Sequence, residues 1–219
     1  MPQQPITVAI ADDHPLFRTA LKQAISHAMA VKNVAEADGF PQIQQLLSEH
    51  PSIELVFLDL YMPGNNGFTG LSLLQNLYPD LTIIMVSSDD RSEIIEKAKN
   101  YGAAAFIPKS ATLDTIIQAI ICVLDGQEWF PQDMDTSQNT QQHDFAQQLA
   151  QLTPQQFKVL SMVSDGLLNK QIAYELNIKE TTIKQHVSAI LNKLSLNNRT
   201  QAGIAFQQLK TSPIVENPT

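Results

Sequence analysis

The chain has 219 residues with 43% apolar content, enough for one or two packed domains. Its composition excludes a membrane helix, because no apolar run approaches the roughly 18 residues needed, and an internal disulfide, because Cys122 is the only cysteine. The net charge of −8 is uneven: residues 1–126 carry 7 basic against 14 acidic side chains, residues 127–150 no basic and 4 acidic, and residues 151–219 carry 7 basic against 4 acidic, so the C-terminal part is the one suited to a polyanion.

Met1-Pro2-Gln3-Gln4-Pro5 offers neither a basic nor an apolar leader segment, which predicts a cytoplasmic protein with no membrane partner. Ile6–Ala11 reads as a strand ended by Asp12-Asp13-His14-Pro15. Leu16, Ala20, Ala24 and Ala28, with Phe17, Leu21 and Ile25 beside them, recur at helical spacing. A second strand is expected over Val31–Ala37 and a helix near Pro41–Glu49. Leu55-Val56-Phe57-Leu58 is a short apolar run that ends at Asp59, with Pro63-Gly64 as a turn just beyond, and it reads as a strand buried on both faces. Leu71, Leu74 and Leu77 mark a helix, Thr82–Ser87 a fourth strand, Arg91–Asn100 a helix, Ala105–Pro108 a fifth strand, and Thr112–Leu124 a helix that contains Cys122 as core packing. Five strand–helix alternations imply a parallel sheet with helices on both faces and right-handed crossovers.

The strand ends carry the chemistry. A strand-end Asp is as often a helix cap or turn former as a functional group, so Asp59 takes its meaning from its partners. Asp12 and Asp13 end the first strand, Ser87 the fourth and Lys109 the fifth, and carboxyl ends of parallel strands converge on one crevice. Three crowded carboxylates repel unless a cation neutralises them. Mg²⁺ suits such an oxygen-rich site, held by one or two carboxylates plus waters and phosphate oxygens. A cation, the Lys109 ammonium and the Ser87 hydroxyl around Asp59 are what phosphoryl transfer to that carboxylate requires.

The ordered set Ile10-Ala11-Asp12-Asp13-His14-Pro15, Leu58-Asp59-Leu60-Tyr61-Met62-Pro63-Gly64, Ser87, Gly102-Ala103 and Phe106-Ile107-Pro108-Lys109 resembles a response-regulator receiver domain, over about residues 5–126. The resemblance implies a flavodoxin-like, doubly wound five-stranded parallel sheet. It also implies that Asp59 accepts phosphate from a sensor histidine kinase, and that Asp13, Asp59 and the Tyr61 backbone carbonyl bind Mg²⁺ directly while Asp12 acts through water. Ser87 and Phe106 fall at the family's switch positions, where the hydroxyl moves toward the phosphoryl group and the ring turns inward. Ser87 stands where Thr is commoner, and Ser110 follows Lys109 where Pro is frequent.

Gln supplies 8 of the 25 residues 127–151, a composition that buries little and reads as a linker, assigned to 127–150 between domains at 1–126 and 151–219. Trp129-Phe130-Pro131 is an apolar island placed to dock on the first domain, and His143–Leu152 a helical lead-in. Thr153-Pro154-Gln155-Gln156 starts a helix with cap, N1 proline and capping-box glutamine, and Gly166 ends it. Asn169 is expected to cap a second helix over Lys170–Leu176, and Asn177-Ile178-Lys179 to lead into a third over Glu180–Leu194. A fourth is expected over Arg199–Leu209. On the third helix Ile183, Val187, Ile190, Leu191 and Leu194 share one face, and Lys184, Gln185, Ser188 and Asn192 the other. Two short helices with such a second face suit a helix-turn-helix, where Lys donates to guanine and Gln pairs with adenine. A solvated amphipathic helix is the competing interpretation of the pattern alone.

Leu152–Phe206 resembles the LuxR-type helix-turn-helix domain through Leu152-Thr153-Pro154, Asn169-Lys170-Gln171-Ile172-Ala173, Thr182-Ile183-Lys184-Gln185-His186, Leu191-Asn192-Lys193-Leu194 and Asn198-Arg199-Thr200-Gln201-Ala202. A receiver before it defines the NarL/FixJ class. The likeness implies that Lys184, Gln185 and Ser188 face bases and that Thr182, Lys170 and Lys193 contact phosphates. Gln156 replaces the usual Glu, and Lys179 stands where Ser or Asp commonly caps the recognition helix; a phosphate contact from Lys179 would offset that weak cap. The expectation is a phosphorylation-controlled regulator of transcription, with four output helices, that dimerises when phosphorylated and binds paired half-sites in double-stranded DNA. A hydrolase using an Asp-phosphate would need a further general acid or base, and Tyr61 with Asp89 is no evident pair. Beyond phosphorylation and self-dephosphorylation of Asp59, no turnover is expected. A receiver whose output domain has lost DNA binding is the third alternative, opposed by the Thr182–His186 run.

Overall fold

The structure, a computed structural model, describes residues 7–31, 33–131 and 140–210. The first unit runs β1 Val8–Ala11, α1 Pro15–Ala28, β2 Val34–Ala37, α2 Phe40–Glu49, β3 Leu55–Asp59, the short hairpin β4 Tyr61–Met62 and β5 Asn65–Asn66, α3 Thr69–Leu77, β6 Thr82–Ser87, α4 Ser92–Asn100, β7 Ala105–Pro108 and α5 Leu113–Leu124. Five strands form one parallel sheet in the order β2-β1-β3-β6-β7. Every residue of β3 is buried, because the strand is central and helices cover both faces. Alternate residues feed two cores. Val56, Leu58, Ile83, Met85 and Phe106 face the α2–α3–α4 side, and Phe57, Ile84, Val86 and Ile107 the α1–α5 side.

Three sequence expectations shift. Ile6 lies outside the described residues, and the second strand begins at Val34. Leu16 is 89% exposed, since α1 buries Leu21, Ala24 and Ile25; its first turn overhangs the strand ends, where no second layer covers it. The Pro63-Gly64 turn is a two-stranded hairpin in which Gly64 has φ +81° and a Cβ would meet Pro41 Cδ at 2.8 Å.

The stretch assigned as linker is docked at both ends. Trp129 bridges Ala105 in parallel, donating its N–H to the Ala104 carbonyl (3.1 Å) and accepting from the Phe106 N–H (3.0 Å), so it pads the free edge of β7. Lys99 pairs with Glu128 (3.0 Å) and lies 5.2 Å from the Phe130 ring centre. Residues 132–139 lie outside the described set. Then α6, Thr140–Ala150, buries Ala146 and Leu149 and packs on α3 and α4.

The last unit is α7 Pro154–Ser164, α8 Asn169–Glu175, α9 Glu180–Lys193 and α10 Arg199–Gln207. The capping box of α7 forms as expected between Thr153 and Gln156. Asn169 is not the cap of α8 but its first residue. Leu168 occupies the cap position, its N–H is taken by Gln171 Oε1 (2.7 Å), and Asn169 Oδ1 instead accepts from Arg199 (2.9 Å). The two units share one apolar cluster through α3, α6 and α7. Among the described residues, hydrogen bonds cross between them from Phe68 N–H to the Leu209 carbonyl (2.9 Å) and from Asn76 Nδ2 to the Leu152 carbonyl. Among the described residues no helix is long and apolar enough to cross a membrane.

Candidate functional site

The sheet brings together at its carboxyl edge four of the residues the sequence singles out. Lys109 Nζ donates to Asp59 Oδ2 at 2.8 Å and lies 2.9 Å from Asp12 Oδ2. Tyr61 N–H donates to Asp59 Oδ1 at 3.2 Å, so each carboxylate oxygen of Asp59 has its own donor. Asp12 is fully buried while Asp13 stands at the rim. His14, which in sequence is only the punctuation after the first strand, places its Nδ1 inside the carboxylate cage: 2.7 Å from Asp13 Oδ1, 3.1 Å from Asp12 Oδ1 and 3.8 Å from Asp59 Oδ2. Lys109 Nζ is 3.0 Å from the same nitrogen. The ring can serve the carboxylates as a donor or the ammonium as an acceptor, not both.

Asp59 is 2% exposed, and burial pushes its carboxyl up to about 6 although Lys109 opposes the rise. Desolvation thus outweighs the attraction of Lys109, and the neighbouring Asp12 carboxylate adds to the rise. One ligand atom each from Asp12, Asp13, His14 and Asp59 lies within 4.8 Å of the others. Asp12 Oδ2, although near Lys109, accepts no aligned hydrogen bond. An orphaned buried oxygen, a mainly carboxylate donor set and an imidazole N standing where a cation would be attracted all fit a hard divalent ion such as Mg²⁺. Asp12, Asp13 and Asp59 are the residues that would hold it.

Around this cage the loops are braced by groups that periodicity could not reveal. Asp89 is buried and takes both Arg91 Nε (2.8 Å) and Nη2 (2.6 Å), which hold its carboxyl below the usual range, and Tyr61 OH adds a third bond at 3.2 Å. Ser87 Oγ accepts from the Asp89 N–H (3.0 Å), and its carbonyl takes the Lys109 N–H (2.8 Å). The hydroxyl is thus engaged with the β6–α4 loop. Phe106 is fully buried among α4 residues. Asn65, buried in the hairpin, bonds the Asp59 and Leu60 carbonyls and the Gly70 N–H.

In the helical unit, Lys184, Gln185, Ser188 and Asn192 are exposed on α9, which packs on α7, α8 and α10 through Ile183 and Ile190. Lys184 is paired with Glu180 one turn earlier (3.0 Å). Lys170 and Lys179 are exposed, Thr182 is half-buried, and Lys179 gives α9 no side-chain cap. Lys193 departs from the expected phosphate contact: its Nζ is turned inward, donating to the Gln151 carbonyl and to Gln156 Oε1, both at 2.8 Å. The Gln156 substitution therefore keeps a partner for Lys193 as an ion–dipole bond.

Residues 8–121 match the family described as response regulator receiver domain, and residues 150–205 that described as bacterial regulatory proteins, luxR family. The chain is 40% identical over 203 residues to the glycerol metabolism activator of Pseudomonas putida, an alignment covering 89% of this chain and 92% of that protein. It is 31% identical over 210 residues to the nitrate/nitrite response regulator protein NarL of Escherichia coli strain K12, covering 94% and 97%. Among solved structures, the RcsB response regulator of Salmonella typhimurium shares the fold with a TM-score of 0.54 at 20% identity, covering 94% of this chain and all of that one. The chain belongs to the two-component response regulators of the NarL/FixJ class, DNA-binding transcriptional regulators that join a receiver domain to a LuxR-type helix-turn-helix domain.

Proposed function

We propose that a sensor histidine kinase phosphorylates Asp59 and that the acyl phosphate governs how the helix-turn-helix unit pairs and binds promoter DNA. One observation carries this reading: a buried carboxylate bonded to Lys109 at 2.8 Å, with the Asp12 and Asp13 carboxylates gathered within ligand distance of it. An Asp59 oxygen attacks phosphorus, the phosphorus–nitrogen bond of the donor histidine breaks, and its electron pair stays on the imidazole. Mg²⁺, when bound, neutralises charge on the phosphoryl oxygens. Lys109 stabilises charge on the phosphoryl group, the Tyr61 N–H orients the nucleophile, and Ser87 leaves the Asp89 N–H to donate to the new group, with Phe106 filling the space behind it. Hydrolysis of the acyl phosphate returns the resting form without any outside substrate.

The output follows from the contacts. Phe68, at the start of α3 and downstream of Asp59, holds the Leu209 carbonyl just past the end of α10, the helix to which the resemblance to LuxR-type domains assigns pairing. A shift of that turn releases α10 to pair with a second copy, and paired α9 helices then meet two half-sites. Lys184, Gln185 and Ser188 read base edges, and Lys170, Thr182 and Lys179 position the backbone. Likeness to an activator of glycerol metabolism supports a positive effect on transcription. Size-exclusion chromatography and DNA titration with and without beryllofluoride and Mg²⁺ test the proposal. Wild type should dimerise and bind DNA more tightly while Asp59→Asn does neither, and an identical response from both would overturn it.

A further inference from the structure

We infer that Asn65 is the positioning residue of the phosphoacceptor, resting on the reading of Asp59 above. The two carboxylate oxygens of Asp59 are accounted for by Tyr61 and Lys109, but nothing in those bonds holds the backbone from which the carboxylate projects. From the sheet side, Leu60 N–H reaches the Val86 carbonyl (3.1 Å). From the other side the Asn65 amide ties it. Asn65 Nδ2 donates to the Asp59 carbonyl (2.9 Å) and the Leu60 carbonyl (3.2 Å), and Oδ1 accepts from the Gly70 N–H (3.1 Å).

The side chain is chosen by this task. Only a short primary amide offers two donors and an acceptor at this reach. A carboxylate could not serve two carbonyls, and an apolar residue of the same size would leave the two carbonyls and the Gly70 N–H without this partner. The site is closed to water, with Asn65 only 5% exposed. Gly70 is its matched partner: a Cβ there would lie 2.4 Å from Asn65 Oδ1 and 2.7 Å from the Phe40 ring. Asp59, the hairpin and the start of α3 are thereby one rigid piece. Without the amide the 59–60 carbonyls lose their side-chain brace, and the aim of the carboxylate is less firmly fixed.

The test uses the full chain and three variants. Asn65→Leu removes the amide, Asn65→Ser retains one donor, and Leu71→Ala opens the core of α3 at a fully buried residue with no hydrogen-bonding side chain. Phosphorylation by acetyl phosphate with Mg²⁺ is followed by intact mass, at a temperature where circular dichroism shows every variant folded. In this reaction an Asp59 oxygen bonds phosphorus as the phosphorus–oxygen bond to acetate breaks and acetate departs. Asn65→Leu should be about 10- to 100-fold slower, the cost of an ångström-scale misplacement. Asn65→Ser should fall between it and wild type, and Leu71→Ala should keep the wild-type rate. The fluorine NMR spectrum of the beryllofluoride adduct should move for Asn65→Leu and overlay wild type for Leu71→Ala. Wild-type rate and spectrum in Asn65→Leu, or equal slowing in Leu71→Ala, overturns the role of Asn65 and leaves the proposed function standing. A wild-type chain that gains no phosphoryl group overturns the reading of Asp59, and this inference with it.

Discussion

Asp59 should weaken the fold at neutral pH, and Asp59→Asn should relieve that cost. Burial raises the carboxyl from 3.8 to about 6. A raised carboxyl holds its proton more tightly in the folded chain than in the unfolded one. Its contribution is therefore most favourable below pH 4 and is lost as pH rises to about 6, after which it is flat. A shift of about two units corresponds to roughly 3 kcal/mol, at 1.36 kcal/mol each. This figure already includes the opposing attraction of Lys109. Asparagine has no charge to bury, so the stability of Asp59→Asn relative to wild type should climb by about that amount between pH 4 and pH 7.5. Urea unfolding followed by the emission of Trp129, the only tryptophan and one bonded to the edge of β7, reads the difference in chelator-treated protein. Added Mg²⁺ should shrink the gap at neutral pH by stabilising wild type alone. A difference that is constant across that pH range, or that falls as pH rises, refutes the argument that burial dominates the site.

His14→Ala should tighten Mg²⁺ binding about 5-fold in calorimetry, because the ion no longer displaces an imidazole hydrogen bond worth about 1 kcal/mol; weaker binding would make His14 a ligand instead. Trp129→Pro deletes the N–H that reaches the Ala104 carbonyl. Hydrogen exchange at the Phe106 amide should then accelerate about 5-fold, the equivalent of one hydrogen bond, and unchanged exchange would mean that this segment does not hold the sheet edge. Lys170→Ala should reduce the slope of DNA affinity against salt by about 1. Lys193→Ala should leave that slope alone and lower the unfolding midpoint, as its ammonium is bonded to Gln151 and Gln156; a reduced slope would restore it to the DNA face.

What could be read from residues alone is what depends on short range or on general rules of chain topology. Strand and helix alternate with periods of 2 and 3.6, parallel crossovers have one hand, and strands end at their punctuation. Asp12, Asp13, Asp59 and Lys109 were therefore bound to meet once the sheet was recognised. The capping box at Thr153 and Gln156 is local and was equally legible. The misreadings share a cause. Leu16 has the right spacing, but whether a position is covered depends on which layer lies over it. Asn169 is a good cap by type, but Arg199, 30 residues on, claims its oxygen. Lys193 reads as a free cation until α9 is folded against the α6–α7 joint. His14 and Asn65 carry no pattern at all, since each is defined by partners that only the packed chain supplies, whereas the docking of Trp129 was legible as an apolar island and only its partner strand was not. Contact between the two units is of the same kind. A Gln-rich joint fixes how far apart they can lie, whereas a continuous apolar cluster through α3, α6 and α7 decides that they touch. The periodicity and strand-end residues of this chain thus settle its elements and the membership of its acidic crevice, because both follow from local geometry. The charge state of Asp59, the bracing of its loop and its connection to α10 come from burial and long-range hydrogen bonds, which exist only in three dimensions.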